Sequence, residues 1–220
     1  MNAFMKFAEI QWQDSPLTQL AKENPFKSMD QKELDKPLSM KDTTEKKETR
    51  PLTPEEEKDI QAKTGWTDEQ MKKCTIDEDG VIHFKTNNEH MEGQQHEPSG
   101  VMYVRKTIEL NGVKVEVVVP DFDSAFDAQL PDDILKDSNV RQFKECNEQL
   151  KDAVEKDPEL ASKFTKDQLE DIMDGRTPEG YTWHHDAESG KMQLVETKQH
   201  NAPEGGAPHT GGRALWGGGY

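Results

Sequence analysis

The feature that most restricts the fold of this chain is a pair of alternating β-branched runs, VMYVRKTIEL and VKVEVVVPDF, joined by Asn111-Gly112. Asn-Gly is the pair that a two-residue type I′ turn demands, because both of its central residues have positive φ. Alternation of apolar and polar residues is typical of half-buried strands. Residues 101–122 therefore predict an antiparallel β-hairpin.

The segments after this hairpin predict helices and a second hairpin. A loop is expected over DSAFDAQLPDDILKDS, and a short helix over TKDQLEDIMDG, between an N-cap at Thr165 and a stop at Gly175. GYTWHHD and KMQLVET read as two strands joined by the turn DAESG. One helical face of the intervening segment NVRQFKECNEQLKDAVEKD collects Val140, Phe143, Cys146 or Asn147, Leu150 and Val154.

The N-terminal half is less informative. Residues 1–50 carry dense alternating charge without apolar periodicity and are predicted to be a disordered or extended tail. Residues 51–99 predict a small helical module and linker: a helix with Thr53 as N-cap and Gly65 as stop, a shorter helix, a strand over GVIHFKT and a loop. Residues 100–220 form the mixed α and β remainder. The predicted class is α+β.

Composition excludes several classes of protein. Mean hydropathy is −1.01 and the formal net charge is −16. A chain this polar is not expected to fold over its whole length into one compact globule. No stretch is long and apolar enough to span a membrane, and no secretory signal is recognisable at the start. Cys74 and Cys146 stand at no motif spacing and are expected to be reduced.

The acidity is concentrated upstream of a histidine-rich end. Residues 137–174 contain six Lys or Arg against eleven Asp or Glu, a net of −5, whereas residues 175–220 contain four against five, a net of −1. Four of the seven histidines, His184, His185, His200 and His209, lie in the last 37 residues. The acidic net charge therefore does not exclude an anionic ligand at this end.

The histidine cluster predicts metal chemistry. Two or three imidazoles from a hairpin and the following element can hold a divalent ion with a coordination position left open. A further imidazole beside the ion can act as general base on a water near neutral pH. Together these groups can hydrolyse a phosphodiester. Adjacent residues of a regular strand point to opposite faces, so His184 and His185 serve one site only at a strand end or bulge.

The stretch TPEGYTWHHDAESGKMQLVETKQHN followed by HTGG resembles the WHH branch of the HNH/endonuclease VII superfamily. These are the ββα-metal, or His-Me finger, nucleases found as C-terminal domains of bacterial polymorphic toxins. NVRQFKECNEQL and FTKDQLEDIMDGRTPEGYTWHH are also similar to this family, so the resemblance covers roughly residues 100–220. It implies a C-terminal ββα-metal core at about residues 176–213.

The resemblance implies roles for individual residues. His184 matches the position of a metal ligand and His185 that of the general base. Gln193 stands where the family usually has the Asn that orients the base, and it is equally compatible with facing solvent. His200 and His209 would complete the metal shell, with Asn201 as an alternative to His209. The cations placed to hold phosphate are Arg176, Lys191 and Arg213. Trp183 reads as a core residue.

The implied activity is a metal-dependent endonuclease that uses one divalent ion, Mg, Mn or Zn, and cuts DNA in preference to RNA. As an antibacterial toxin it would be delivered by a secretion system, act in the cytoplasm of the target cell and have a cognate immunity protein as a partner. The alternative is a non-catalytic, zinc-stabilised acidic interaction or inhibitor module, with a closed site made by His184, His185, His200 and His209. A third reading is a chain that keeps the fold with degraded activity.

Overall fold

The computed structural model describes residues 47–216. The tail predicted over 1–50 lies outside the described residues up to position 46, and Thr49–Arg50 form a short strand. The predicted hairpin is confirmed: Val101–Leu110 pairs antiparallel with Val113–Asp121, and Leu110 faces Val113 across the turn. Asn111 and Gly112 have φ of 50° and 80°, the left-handed conformation expected of this turn.

The hairpin forms the centre of a six-stranded sheet that also takes in the N-terminal half of the described chain. All neighbours in this sheet are antiparallel except the parallel pair of β3 (Ile82–Phe84) and β6 (Val113–Asp121). Residues on both sides of the predicted boundary at 99/100 therefore share one sheet. Its spatial order is β1 (Thr49–Arg50), β2 (Cys74–Asp77), β3 (Ile82–Phe84), β6 (Val113–Asp121), β5 (Val101–Leu110) and β4 (Gln95–His96).

The predicted helices of residues 51–99 are confirmed. Helix α1 spans Pro54–Thr64; it begins with a capping box between Thr53 and Glu56 and ends at the left-handed Gly65. Helix α2 spans Asp68–Met71 and has a second capping box between Thr67 and Gln70. Local sequence rules suffice here because each helix end carries its own cap.

A second, three-stranded sheet carries the histidine doublet. Its order is β7 (Ser124–Gln129), β9 (Lys191–Glu196) and β8 (Tyr181–His185), all antiparallel. The predicted second hairpin is confirmed, but the loop predicted over residues 123–138 is wrong at its start, where β7 pairs with the free edge of β9. Pairing with a distant strand overrides the weak strand propensity of SAFDAQ.

Three helices lie between β7 and β8: α3 (Asn139–Lys156), α4 (Pro158–Ala161) and α5 (Lys166–Met173). The face predicted for α3 is wrong at its first position, since Val140 is 81% exposed. The buried stripe instead runs at intervals of four through Gln142, Cys146, Leu150 and Val154. A polar residue thus occupies the core position of the first turn.

The two faces of the three-stranded sheet pack into different apolar clusters. Trp183, Met192 and Leu194 belong to the main core, together with the apolar face of α3. Val195 belongs to a smaller cluster with Tyr103, Phe122 and other residues. Helix α6 (Thr197–His200) follows β9 directly, so β8, β9 and α6 form the ββα arrangement at the C-terminal end of an α+β fold.

Cys74 and Cys146 are free and buried, and burial raises the pKa of each thiol to about 12. A thiol with so high a pKa is unreactive near neutral pH. Among the described residues, none of the helices is both long and apolar enough to cross a bilayer.

Candidate metal centre and active site

Three of the four clustered histidines come together. His184 lies in β8, His200 ends α6, and His209 lies in the loop that follows; each offers one ring nitrogen, and the three nitrogens lie within 4.8 Å of one another. The ring centroids are 4.7 to 5.2 Å apart. Phe122, just after β6, packs against all three rings at 4.8 to 5.6 Å. An apolar wall therefore backs a cluster of imidazoles.

The hydrogen bonds of these rings leave nitrogen lone pairs free. The Nδ1–H of His209 donates to the carbonyl oxygen of Ala207 at 2.8 Å, so its Nε2 keeps the lone pair. Nδ1 of His200 is 2.9 Å from Oδ1 of Asn201, so Nε2 of His200 is also left free. Asn201, the alternative to His209 as a ligand, thus contacts His200 in this structure.

His184 is the ring that most needs a further partner. It is 5% exposed, and its Nδ1 is buried without a hydrogen bond among the described residues. A buried polar atom left without a partner costs about 1–3 kcal/mol. A cation bound by the three imidazoles would satisfy the cluster, so the residues present fit a divalent metal.

Close backbone contacts bring His209 back to His200 despite the eight residues between them. Gly205 adopts φ of 87°, and the amide of Ala207 donates to the carbonyl oxygen of Gln199 at 2.8 Å. A Cβ on Gly206 would lie 2.4 Å from the backbone of His200 and Asn201, so only glycine fits there. The flexible-looking sequence NAPEGGAP is folded into a tight return.

The electrostatics of the cluster keep its imidazoles neutral. Burial lowers the pKa of His184 well below its usual value, and the nearby His209 and His200 lower it further. Burial also lowers the pKa of His209 to about 4, against the hydrogen bond to Ala207, and lowers that of His200. Neutral imidazole is the form that binds metal.

His185 lies on the opposite face of the strand from His184. It pairs in register with Met192, a core residue, whereas His184 pairs with Gln193. Its ring lies 5.8 Å from that of Phe143 and 5.6 Å from that of Trp216. Burial, then the nearby Arg213 and His200, lower the pKa of His185 to about 4. His185 therefore stays close to the cluster without joining the three-nitrogen group.

The glutamine that contacts His185 is not the one predicted. Gln193 shares the face of His184, because directly paired residues of antiparallel strands point to the same side. The contact expected of Gln193 is instead made by Gln142 of α3, whose Oε1 lies 2.9 Å from Nε2 of His185. Gln142 is fully buried, and its position four residues before Cys146 is the sequence feature that indicates the inner face of α3, although it does not reveal the contact with His185.

A second buried amide of α3 holds the same strand. Oδ1 of Asn147 accepts hydrogen bonds from Nε1 of Trp183 at 2.8 Å and from the hydroxyl of Thr177 at 3.1 Å. Trp183 is 2% exposed, as expected of a core residue. Helix α3 thus contacts β8 through amides at two successive inward-facing positions, Trp183 and His185.

This arrangement can be compared with known proteins. Residues 111–211 match the Colicin-DNase family. Its description is the DNase/tRNase domain of colicin-like bacteriocin, and the matched segment contains all four clustered histidines, Gln142 and Gln193. The match supports a nuclease toxin function for this part of the chain. No curated protein and no solved structure matches the chain.

Within or beside the segment that matches the family model, the three predicted phosphate-binding cations differ in their pairing. Arg176 forms ion pairs with Asp171 and Asp174, both at 2.7 Å, and Lys191 pairs with Asp127 at 3.2 Å. Arg213 is held by Oδ1 of Asn139 and, at 2.6 Å, by the carbonyl oxygen of Asp137. Its Nε is buried without a hydrogen-bond partner among residues 47–216. Their nucleic-acid role stays a prediction.

A lysine of the large sheet reaches the strand end after the doublet. Lys106 of β5 bonds Asp186 at 3.0 Å and Glu188 at 2.7 Å. Burial disfavours its charged form, but these two hydrogen bonds outweigh that cost and raise the pKa of Lys106. No sequence pattern indicates this contact, which links the two sheets and pairs the buried Asp186 with a positive charge.

The C-terminal segment approaches the doublet so closely that Gly212 has no room for a side chain. A Cβ there would lie 1.7 Å from the carbonyl oxygen of Asp186 and 2.8 Å from that of His185. We expect Gly212→Ala to destabilise the fold by about 1–3 kcal/mol through overpacking, measured by urea unfolding.

The neighbouring Gly211 provides the matched control. Its φ is −64° and nothing lies within 4 Å of a Cβ at this position. Gly211→Ala should change stability by less than about 0.5 kcal/mol. Equal effects of the two substitutions would contradict the close approach.

The lowered pKa values also predict how stability depends on pH when metal is removed. In EDTA, the histidines of the unfolded chain take up protons below about pH 6.5, whereas His185 and His209 of the folded chain stay neutral down to about pH 4. The stability present above pH 6.5 should therefore fall as pH drops to 4, measured as a decreasing Tm. His209→Gln should weaken this dependence, and an identical slope in both proteins would count against the buried neutral state.

Proposed function

We propose that the chain is a metal-dependent endonuclease of the HNH type that hydrolyses phosphodiester bonds of nucleic acid. The observation that carries this proposal is the separation of the four histidines into three with converging ring nitrogens and one, His185, that stands apart. His184, His200 and His209 offer nitrogens within 4.8 Å of one another, whereas His185 is held apart by Gln142. The ββα arrangement and the match of residues 111–211 support the same conclusion.

The donor set favours a transition metal. Among residues 47–216 this triad is the only group of His, Cys, Asp or Glu side chains that fits an ion, and it contains no carboxylate. Imidazole suits Zn²⁺ and other late transition metals, whereas Mg²⁺ prefers oxygen ligands. Of Mg, Mn and Zn, we therefore propose Zn²⁺ as the ion bound most tightly. Three protein ligands leave at least one coordination position for water or substrate.

The bound ion would supply charge stabilisation to the phosphate and the leaving oxygen. His185 would take the proton from the attacking water, for which its neutral form is required. Burial lowers the pKa of His185 to about 4, which favours the neutral form at pH 7. Arg213, which lies near His185, would hold a phosphate oxygen through its guanidinium group.

The rival reading is a structural zinc module without catalysis. It requires a closed site in which all four histidines act as ligands. Two features favour the open site: His185 is hydrogen-bonded to Gln142, and it is absent from the group of converging nitrogens. The strand alternation between His184 and His185 gives the physical reason for this separation.

The biological setting follows from the proposed activity. A nuclease toxin would act in the cytoplasm of a target bacterium after delivery by a secretion system, and its producer would need a cognate immunity protein. We propose DNA as the substrate in preference to RNA, on the resemblance to WHH and HNH nucleases. Transfer RNA is the other outcome of the assay, because the matched family includes both activities.

We expect the purified protein to nick plasmid DNA with Zn²⁺, Mn²⁺ or Mg²⁺ and to lose this activity in EDTA. His185→Ala should lower the rate by about 10²–10⁴-fold, the contribution typical of a general base, and should still bind one Zn²⁺ by calorimetry. His184→Ala and His209→Ala should lose tight Zn²⁺ binding and activity together.

His90→Ala is the matched control, because His90 is an exposed residue outside the cluster. It should cut at the wild-type rate. Parallel reactions with transfer RNA decide between the two substrates. Failure to cut either nucleic acid with any of the three metals, while one Zn²⁺ stays bound, would favour the structural module or a fold with degraded activity.

A further inference from the structure

The side-chain amide of Gln142 is a buried polar group beside the site, and the proposed function has given it no role. It is fully buried in the first turn of α3, where an apolar residue continuing the stripe of Cys146, Leu150 and Val154 would pack well. Burying an amide is unfavourable unless its hydrogen bonds are satisfied. Its presence there therefore calls for a specific set of partners.

The partners of Gln142 fix the direction of its amide. Nε2 donates to the carbonyl oxygen of Ile134 at 3.1 Å and to that of Leu135 at 2.8 Å. An amide nitrogen has two hydrogens, and both are used by these carbonyls. The reverse orientation would set the amide oxygen against two carbonyl oxygens. Oε1 is therefore the end that faces His185.

The direction of the amide determines the tautomer of His185. Oε1 of Gln142 can only accept, so Nε2 of His185, 2.9 Å away, must carry the hydrogen. In a neutral imidazole the lone pair then lies on Nδ1. The rings of Phe143 and Trp216, 5.8 and 5.6 Å away, restrict the imidazole further.

We propose that Gln142 is a positioning residue that holds His185 as the Nε2–H tautomer, so that Nδ1 is the atom that accepts the proton from water. This inference rests on the proposed nuclease function. A buried partner that fixes the tautomer and orientation of a catalytic imidazole is required for efficient proton transfer, because the other tautomer presents a hydrogen where the lone pair is needed. Gln142 acts through His185 and contacts no ligand of the metal cluster among its hydrogen-bonded partners.

The test compares Gln142→Met, which removes the acceptor, with Gln142→Glu. Burial favours the neutral carboxyl of this glutamic acid, which keeps an acceptor toward His185 and donates its one hydrogen to a backbone carbonyl in place of the amide nitrogen. Gln149→Met is the matched control, since Gln149 lies two turns along the same helix and its amide bonds the backbone of Gln129, away from the histidines. Long-range proton–nitrogen NMR correlation of the full chain, with Zn²⁺ and in EDTA, reports the tautomer of His185. Its signals are assigned by their loss in His185→Phe.

We expect wild-type protein to show a protonated Nε2 and an unprotonated Nδ1 on His185. Gln142→Met should lose this preference and lower kcat by about 10²-fold, the lower end of a general base's contribution, with KM and Zn²⁺ affinity unchanged. Gln142→Glu should recover the tautomer and part of kcat, and Gln149→Met should match the wild type. Adding Gln142→Met to His185→Ala should cause no further loss.

Two results would overturn the proposal: a protonated Nδ1 on wild-type His185, or a folded Gln142→Met protein with wild-type tautomer and kcat. If Gln142→Met does not fold, the tautomer of the wild type and of Gln142→Glu decides. Absence of cleavage by the wild type would remove the proposed function, whereas the NMR comparison would still decide whether Gln142 sets the tautomer of His185.

Discussion

The alternation of side chains along a β-strand is the constraint on which the site depends. His184 and His185 are adjacent, so β8 directs one toward Phe122 and the other toward α3. The proposed metal ligand and the proposed general base are thereby separated by the backbone itself. The remaining elements complete each side. Helix α6 and the loop after it supply His200 and His209 on one side, and Gln142 with Trp216 confines the imidazole of His185 on the other.

The N-terminal half of the described chain supports the site from outside the matched segment. The hydroxyl of Tyr103 donates to the carbonyl oxygen of Pro208 at 2.5 Å, next to His209. Nε1 of Trp66 donates to Leu215, and Nε2 of Gln70 donates to Ala214. These contacts hold both ends of the segment that carries His209, Gly212 and Arg213. Residues 47–110 therefore act as part of the scaffold of the histidine cluster.

The sequence predicted the parts of the fold that local rules determine. Capping boxes, the Asn111-Gly112 turn and the doublet hairpin need only neighbouring residues, and the histidines stand out by type alone. Strand β7 was missed because its pairing partner lies about 70 residues away. Gln142 was missed because a glutamine on an apolar stripe reads as a surface residue, and only the carbonyls of Ile134 and Leu135 explain its burial. Gln193 was favoured from motif position without the strand register that sets its face.

The charge of the site resolves the apparent conflict between an acidic chain and an anionic substrate. Arg176 and Lys191 are already paired with carboxylates, so they offer little free positive charge. The three imidazoles are neutral, and a divalent ion bound by neutral ligands keeps its full double charge. The buried Asp186 beside the doublet is compensated by Lys106. Under the proposed function, the attraction for phosphate would therefore come from the ion and Arg213 at short range, and this proposal does not require a basic surface.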